Sequence, residues 1–413
     1  MRFYTLILSI CIALSAIGQN NSTCDGGRFT DELYQVNKIG NVTYGANQSL
    51  WTGNQTLKFD LYEPKDDTLE KRPMIIWAFG GSFLFGNKIS PDIVRLCNEF
   101  ASRGYVCVSI DYRLGISSFD AEHTLQAVMR AVHDMRAAVR FFRKDAATAN
   151  LYNIDTERIF VGGVSAGAIT AIQTAYLNEL DEIPVEIVND TAAVGGIEGL
   201  SGNLGYSSKP NLVINLCGAV GDTNWIIPGD IPIVSLHGTS DGTVPYGSEE
   251  IAVSGNAIGF FVDGSGSLHV RANNIGLDNL LYTWQGVGHT PFINTSNGAI
   301  DEAYMDTVVT TVRDFMQPYA CREIIQTVGM QTVADLNDIK VFPNPAEGEV
   351  FIEVPKANSG FAVSIHSLQG QLVNSYTAMA TKLRVSTELL DAGLYVVTIN
   401  LDGEQIQRKL VVY

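Results

Sequence analysis

Short apolar runs alternate with longer segments of helical periodicity from about residue 70 onward. Six of the runs are rich in β-branched and aromatic residues, which is typical of buried strands. They cover residues 73–77, 105–110, 158–161, 211–216, 231–236 and 280–284. Strands that alternate with helices pair into a mostly parallel sheet covered by helices on both faces. The pattern therefore predicts an α/β fold.

Three further patterns place elements around this sheet. Apolar and polar residues alternate over 33–44 and 55–62, which predicts an antiparallel hairpin at one edge. A last helix is predicted over about 303–319. Another helix, with one apolar face, is predicted between the second and third strands, where apolar residues recur at spacings of three and four: Leu125, Val128, Val132, Met135, Val139 and Phe142.

A long connection rich in Gly, Ile and Val covers residues 181–208. Connections of this length are usually functional or disordered, so two interpretations stay open, a lid or pocket wall and a surface excursion.

After about residue 322 the pattern changes to short alternating strands separated by turn residues. They cover 350–354, 362–365, 372–376, 383–386, 394–399 and 406–412, and such a run predicts a small antiparallel β-sandwich. We therefore expect a signal peptide at 1–18, an α/β domain at 19–321, a linker at 322–338 and the sandwich at 339–413.

The first residues have the pattern of a secretory signal peptide. Met1-Arg2 precedes an apolar stretch that ends in the small-x-small sequence Ala16-Ile17-Gly18. This stretch is shorter than the roughly 20 apolar residues of a membrane-spanning helix, and no later segment qualifies. We expect an exported chain without an integral membrane segment.

Composition and charge narrow the class of partner. The 413 residues are 46% hydrophobic and 17% charged, which suffices for a large buried core. The formal net charge is -17, and so acidic a surface repels phosphate groups. A nucleic-acid partner is therefore not expected.

Removal of the leader leaves an odd number of cysteines, so at least one has no partner within the chain. Cys107 and Cys217 lie in buried-strand patterns and are expected to be inert thiols. Two of the remaining three, Cys24, Cys97 and Cys321, can pair in an oxidising exterior, and we expect Cys24 to pair with Cys97.

The pentapeptide Gly163-Val-Ser165-Ala-Gly167 follows the third strand and begins an Ala/Ile-rich segment. This is the GxSxG pattern of a nucleophile elbow, in which a strand turns sharply into a helix with the serine at the apex. The two glycines leave room for a strained backbone and for close packing of strand and helix. An ordinary Gly/Ser loop is the alternative.

A serine hydroxyl needs a base within hydrogen-bond reach and an acid that orients the base. In parallel-sheet hydrolases the acid and the histidine follow the serine in that order, each just after a strand. Asp241 follows the strand at 231–236 in His237-Gly-Thr-Ser-Asp-Gly-Thr-Val-Pro, and His289 follows the strand at 280–284. We predict the triad Ser165, Asp241 and His289.

Competing residues fit these roles less well. His237 precedes the acid and ends a strand, so we expect it to hold the loop by hydrogen bonds instead of reaching Ser165. Asp134 and Arg136 are expected to form structural ion pairs. The remaining rivals lack the position or the motif: His123, His133, His269 and His366 for the base, and Asp222, Asp230 and Asp263 for the acid.

Amide donors for an oxyanion are expected from two places. One is Ala166, which follows the nucleophile, and the other is the Gly80-Gly81-Ser82 turn after the first central strand. Aromatic residues near this sheet edge are expected to form the wall of an acyl pocket: Phe79, Phe83, Phe85 and Trp225. No Cys/His cluster has metal-ligand spacing, so neither a metal nor a cofactor is expected.

With these motifs, residues of about 25–320 resemble the α/β-hydrolase superfamily, in particular its carboxylesterase and hormone-sensitive-lipase-like branch. The shared segments are FGGSF at 79–83, IDYRLG at 110–115, DMRAAVRF at 134–141, GVSAG at 163–167, HGTSDGTVP at 237–245 and GVGH at 286–289. The resemblance implies an α/β-hydrolase fold and hydrolysis of a carboxylic ester through an acyl-enzyme on Ser165. One departure is Phe79, where the family usually has His.

The C-terminal region resembles the sorting domain of proteins exported by the bacterial type IX secretion system. The similar segments are KVFPNP at 340–345, SLQG at 367–370, LDAGLY at 390–395 and RKLVVY at 408–413. The resemblance implies a bacterium of the Bacteroidetes kind and a chain that crosses the periplasm and then the outer membrane, to be secreted or held at the cell surface. A carbohydrate-binding or adhesion sandwich is the alternative.

The sequence thus predicts a secreted serine carboxylic-ester hydrolase whose partners are an ester substrate, small or polymeric, and the type IX machinery. Two alternatives stay open: a serine peptidase of the oligopeptidase type, and a non-catalytic binding protein with a hydrolase fold. The peptidases carry a large N-terminal domain, whereas only about 50 residues precede this core.

Overall fold

The structure is a computed structural model that describes residues 21–184, 187, 195–253, 256–294, 296–321, 323–324, 339–354, 361–367, 371–378, 381–388, 390–401 and 404–413. The chain divides into two compact units, Met1–Ile324 and Ile325–Tyr413, each of which is described by itself. The predicted signal peptide lies outside the described residues, as does most of the predicted linker.

The first unit alternates strands and helices. Its strands are β1 Asn21–Ser22, β2 Val36–Ser49, β3 Gly53–Pro64, β4 Arg72–Ala78, β5 Val106–Ile110, β6 Ile154–Val164, β7 Leu212–Leu216, β8 Ala219–Val220, β9 Ile233–Gly238, β10 Ser248–Val253, β11 Asn256–Gly264, β12 Asn279–Trp284 and β13 Glu323–Ile324. Its helices are α1 Pro91–Ser102, α2 Ala121–Ala147, α3 Ala166–Tyr176, α4 Ser265–Ile275 and α5 Glu302–Ala320, with short 3-10 turns at Asp25–Gly27, Leu180–Glu182 and Thr223–Trp225.

Eight strands form the central sheet in the order β12-β9-β7-β6-β4-β5-β3-β2. The six strands from β12 to β5 are parallel, and the β2–β3 hairpin pairs antiparallel at the β5 edge. The chain steps one way from β4 to β5 and then the other way to β6 and β7. Because crossovers of parallel strands are right-handed, this reversal puts α1 and α2 on opposite faces. The predicted α/β-hydrolase architecture is confirmed.

Burial explains why the sequences of these strands are continuous apolar runs. Every residue of β4, β5 and β7 is buried, as expected for strands covered by helices on both faces. The helices begin at recognisable signals. The Asp120 side chain accepts a hydrogen bond from His123 N at the start of α2, and Asp301 caps α5 through Tyr304 N.

The sequence analysis did not predict β8, β10 and β11, which form a separate antiparallel sheet in the order β10-β11-β8. Helix α4 follows this sheet directly, in the segment where only a short stretch with His269 was noted. The strands β10 and β11 belong to the wall of the candidate site.

The connection at 181–208 is described only in part. Residues 195–208 contact α2 through several backbone carbonyls: Arg136 Nη1 donates to Ile197 O at 2.8 Å, and Arg140 Nε donates to Gly202 O at 3.0 Å. His133 Nε2 lies 2.7 Å from Gly196 O. These contacts fix the second half of the connection to the domain, and residues 188–194 lie outside the described residues.

The disulfide prediction is wrong. Cys24 is bonded to Cys321, and Cys97 is a buried thiol. Cys97 lies on the apolar face of α1 and is fully buried in the core, whereas Cys24 and Cys321 flank the paired strands β1 and β13. The bond therefore joins the two ends of the first unit.

The second unit is a sheet of seven strands in the order β17-β16-β19-β20-β14-β15-β18. Its strands are β14 Lys340–Glu347, β15 Glu349–Glu353, β16 Phe361–Ser367, β17 Leu372–Ala378, β18 Lys382–Ser386, β19 Gly393–Leu401 and β20 Glu404–Val412. Neighbouring strands pair antiparallel except β14 and β20, which meet in parallel at Ala346 and Val412. Strand β14 was not predicted, because two prolines interrupt its apolar pattern.

None of the helices in the described part of the chain combines the length and the apolar character needed to cross a membrane.

Candidate active site

Ser165 lies at the tip of a sharp turn between β6 and α3. Its backbone has φ 55° and ψ −119°, a conformation that few residues other than glycine adopt. A Cβ on Gly163 would lie 2.2 Å from the carbonyl carbon of Gly167, and one on Gly167 would lie 2.1 Å from Ala78 O. Both positions therefore require glycine, since strand and helix pack too closely there for a side chain.

The structure brings the three predicted triad residues together at the carboxyl edge of the sheet. His289 Nε2 lies 2.8 Å from Ser165 Oγ, and His289 Nδ1 lies 2.6 Å from Asp241 Oδ2. The turn after β6 carries the serine, and the loops after β9 and β12 carry the aspartate and the histidine. The two loops are close-packed, since a Cβ on Gly238 would lie 2.2 Å from Val287 O.

Asp241 is held by donors on both carboxylate oxygens. Its Oδ1 accepts hydrogen bonds from Thr243 N at 2.8 Å and from Val244 N at 3.0 Å, while its Oδ2 faces two histidines. Burial alone would raise the pKa of Asp241, but hydrogen bonds from His237 and His289 outweigh it and hold this pKa well below its usual value. The carboxylate is therefore ionised at neutral pH.

His237 does not reach Ser165 but contacts Asp241, with Nε2 3.0 Å from Oδ2. The side chain is fully buried. The expectation that it holds the loop rested on its position alone, and no sequence pattern indicated that it shares an oxygen of the acid with His289.

The turn after β4 lies beside the nucleophile. A Cβ on Gly80 would lie 3.3 Å from Ser165 Cβ, and Gly81 has φ 125°. Two hydrogen bonds hold this turn in place. Tyr112 Oη donates to Phe79 O at 2.8 Å, and Gly115 N donates to Phe83 O at 2.8 Å. At the start of α3, the Ala166 N–H has no acceptor within the helix.

A mostly apolar pocket opens from Ser165, Ser82 and Ala166. Its walls come from α2, α3, the β10–β11 hairpin and the segments around Pro184 and Trp225: Leu125, Val128, Met129, Ile169, Leu177, Ile187, Ile251, Ile258, Phe260 and Val262. Leu125 and Val128 belong to the helix face that was predicted to be apolar. An apolar face packs against a core or forms the wall of a pocket, and the spacing of its residues does not distinguish the two. The alternation of Ile258, Phe260 and Val262 could have indicated the hairpin.

Two of the four aromatic residues predicted for the pocket lie in its wall, namely Phe83 and Trp225. Phe79 and Phe85 are not part of this wall in the described structure. Phe79 is fully buried and stacks on Tyr112 with ring centroids 4.3 Å apart, so it fills the space beneath the turn. Phe85 is 64% exposed and lies outside the pocket.

Within the described residues, one group of side chains has metal-ligand spacing: Cys217, Asp241 and His289, whose ligand atoms lie within 4.8 Å of one another. A cysteine binds metal as the thiolate. Burial raises the pKa of Cys217 to about 12, and Asp241 and His289 are hydrogen-bonded to each other. The group fits an acid and base pair better than a metal site.

Fold and site together have the architecture of an α/β hydrolase, and comparisons with known proteins agree. Residues 59–198 match the BD-FAE family, and residues 340–413 match the secretion system C-terminal sorting domain. Both resemblances stated from the motifs are confirmed as resemblances: one region is similar to an esterase-like hydrolase domain and the other to a secretion sorting domain, which indicates export and secretion or attachment to the cell surface.

Individual relatives are esterases. Gut esterase 1 of Caenorhabditis briggsae is 28% identical over 190 residues, which cover 44% of this chain and 32% of that protein. Carboxylesterase 3B of Mus musculus is 30% identical over 142 residues, which cover 33% of this chain and 24% of that protein. The chain thus spans about a third or less of the length of these relatives.

Among solved structures, esterase 2 of Thermogutta terrifontis with propionate bound has a TM-score of 0.49 and 20% sequence identity. The similarity covers 69% of this chain and 94% of that one.

Proposed function

We propose that the chain is a secreted serine carboxylic-ester hydrolase that acts through an acyl-enzyme on Ser165. The observation that carries this proposal is the unbroken set of contacts from Ser165 Oγ to His289 Nε2, at 2.8 Å, and from His289 Nδ1 to Asp241 Oδ2, at 2.6 Å. These are hydrogen-bond distances over which a proton can move.

In the first half of the reaction, His289 Nε2 takes the proton of Ser165 Oγ as the oxygen attacks the ester carbonyl carbon. The ionised Asp241 stabilises the imidazolium that forms. His289 then gives the proton to the alcohol oxygen, the ester bond breaks, and the acyl group stays on Ser165. In the second half, His289 takes a proton from water, the hydroxide releases the carboxylic acid, and the proton returns to Ser165 Oγ.

The negative charge on the carbonyl oxygen needs fixed donors. The proposed donors are the amides of Ala166, Gly80, Gly81 and Ser82. Their support is positional: Ala166 N–H is free of intrahelical acceptors, Gly80 lies against Ser165, and Ser82 borders the same pocket as the nucleophile.

The apolar pocket is the proposed site for a hydrocarbon part of the ester. Burial of one methylene contributes about 0.8 kcal/mol, so we expect kcat/KM to rise about fourfold per added carbon until the pocket is filled. A panel of 4-nitrophenyl esters from acetate to palmitate measures this rise and the length at which it stops.

The test of the activity itself compares two serine variants. Ser165→Ala should lower kcat for 4-nitrophenyl butyrate by about three orders of magnitude or more. Ser109→Ala is the matched control, because Ser109 is also buried but hydrogen-bonds Lys88 O in the core, and this variant should keep the wild-type rate.

A 4-nitroanilide peptide assayed beside the ester separates esterase from peptidase. Faster turnover of the peptide would favour the oligopeptidase alternative. Hydrolysis of neither substrate by the folded wild type would favour a binding protein, and equal rates for Ser165→Ala and wild type would overturn the role of Ser165.

A further inference from the structure

A second buried histidine contacts the acid of the predicted triad. His237 Nε2 is 3.0 Å from Asp241 Oδ2, the same oxygen that His289 Nδ1 approaches at 2.6 Å. The acid therefore uses one oxygen for two imidazoles and the other for two backbone amides.

The neighbours of His237 determine which ring nitrogen carries the hydrogen. Nε2 faces two acceptors, Asp241 Oδ2 and Val244 O at 3.1 Å, and neither can donate. Nδ1 faces Ser265 Oγ at 2.7 Å. The pattern is satisfied when Nε2–H donates to Asp241 and the hydroxyl of Ser265 donates to Nδ1.

Ser265 is in turn fixed by the sheet. Asn215 Nδ2 donates to Ser265 Oγ at 2.9 Å and to Ser235 Oγ at 3.0 Å, while Asn215 Oδ1 accepts from Gly218 N at 2.8 Å. Ser265, Asn215 and His237 are all fully buried. Strands β7 and β9 and the start of α4 thus hold the ring of His237 in one orientation.

We propose that His237 is a positioning residue for catalysis, which fixes Asp241 Oδ2 and shares its negative charge with His289. The inference rests on the proposed function. A histidine that only held the loop would affect stability. A hydrogen-bond donor at His237 Nε2 instead acts on Asp241 and, through Asp241, on His289.

Loss of the Nε2 donor has two physical effects. The carboxylate can turn about its Cβ–Cγ bond, so that fewer molecules hold His289 in line with Ser165. In the molecules that stay aligned, Oδ2 no longer shares its charge, so it favours the protonated form of His289 more strongly. The rate therefore falls, and the pH profile of the rate changes with it.

Cys217 and Tyr246 also lie near this pair. Cys217 lies within 4.8 Å of Asp241 and His289, and burial raises its pKa to about 12, so it carries no charge at neutral pH. The ring of Tyr246 packs edge-on against His237 at 5.7 Å, and its hydroxyl bonds Thr283 Oγ1. Among the described residues, His237 and His289 are the side chains that hydrogen-bond the Asp241 carboxylate.

Two conservative variants distinguish the contribution of His237 Nε2 from that of His237 Nδ1. In His237→Gln the amide lies near the position of Nε2 and can still donate to Asp241. In His237→Asn the amide lies near Nδ1 and cannot. The pH profiles of kcat and kcat/KM, for an ester that the wild type hydrolyses, are the measurement. Ser265→Ala is a further variant, which removes the hydroxyl that contacts His237 Nδ1 but keeps the imidazole ring.

His237→Asn should lower kcat by about tenfold to a hundredfold, the effect of losing a hydrogen bond to a charged group, with KM little changed. The acid limb of kcat/KM should move to higher pH by roughly half a unit. His237→Gln should restore both, and Ser265→Ala should show a weaker effect of the same sign.

The matched control is His133→Asn. His133 is as buried as His237 but contacts Gly196 O, so its variant should lose stability without moving the acid limb. The inference is wrong if His237→Asn and Ser265→Ala both keep the wild-type kcat and the wild-type acid limb of kcat/KM. It is also wrong if His237→Gln loses as much activity as His237→Asn. Neither result would count against the esterase activity itself. A wild type without Ser165-dependent hydrolysis would instead count against the proposed function.

Discussion

The side chains of Asp134 and Asp241 are both completely buried, and the groups that surround them differ in kind. Asp134 on α2 faces Arg113, whose Nη2 lies 2.8 Å from Oδ1, and also accepts from Arg113 N and Ser201 Oγ. Asp241 faces the imidazoles of His237 and His289. A guanidinium keeps its charge at every relevant pH, whereas an imidazole can gain and lose a proton.

The same kind of buried group, a carboxylate, thus has a different role at each of the two positions. Beside a permanent cation, Asp134 ties α2 to the loops that carry Arg113 and Ser201. Beside two imidazoles, Asp241 lies next to a group that can exchange a proton with Ser165. The partner, and not burial, separates a structural carboxylate from one that can support catalysis.

The largest effect is expected from Asp241→Asn. The amide can present its NH2 to His289 and favour the wrong tautomer, so kcat should fall by about four orders of magnitude. Ester hydrolysis under single-turnover conditions measures this. A loss of less than tenfold would mean that Asp241 is not the acid.

Asp134→Asn should act on stability instead. It leaves the Arg113 guanidinium buried beside a neutral partner, which costs about 3–5 kcal/mol. Urea denaturation measures the loss, and the remaining folded enzyme should keep its kcat. A normal free energy of unfolding together with a reduced kcat would break the distinction between the two carboxylates.

The pH dependence of stability sharpens the distinction further. The folded pKa of Asp241 lies below its unfolded value of about 3.9, so its contribution is complete above that pH and is lost as pH falls towards the folded value. The stability of wild type relative to Asp241→Asn should therefore decrease below about pH 4, by at most about 1.4 kcal/mol per pH unit. Unfolding curves at pH 6, 4.5 and 3 test this, and a constant difference would contradict it.

The smallest effect is expected at Cys217. Since burial raises its pKa to about 12, the thiol is neutral beside Asp241, and Cys217→Ala should leave the pH profile unchanged. The native protein should also react slowly with a thiol reagent at pH 8, and Cys97, Cys107 and Cys217 should all react after unfolding. Rapid labelling of Cys217 in the native state would show that a second charge acts on the acid.

Local patterns predicted most of the first unit. The buried strands of the central sheet are apolar runs, and a parallel sheet brings the ends of such runs to one edge, so Ser165, Asp241 and His289 could be expected near one another. Their roles in catalysis and the domain boundaries stay predictions.

Other features depend on contacts between residues far apart in the chain. Cys24 and Cys321 are 297 residues apart, and their pairing follows from β1 meeting β13, which no local pattern indicates. Phe79 was expected in the pocket because the turn after β4 lies there, but its ring stacks on Tyr112 beneath the turn. The contact of His237 with Asp241 likewise depends on the orientation of one ring.

The proposed reaction requires Ser165 to be a nucleophile that His289 and Asp241 activate. A fluorophosphonate that forms a covalent adduct with activated serines, followed by peptide mapping of the inactivated protein, tests it most directly. We expect one adduct per chain, on Ser165, and loss of labelling in His289→Gln. An active enzyme that stays unlabelled, or that carries the adduct on another serine, would contradict it.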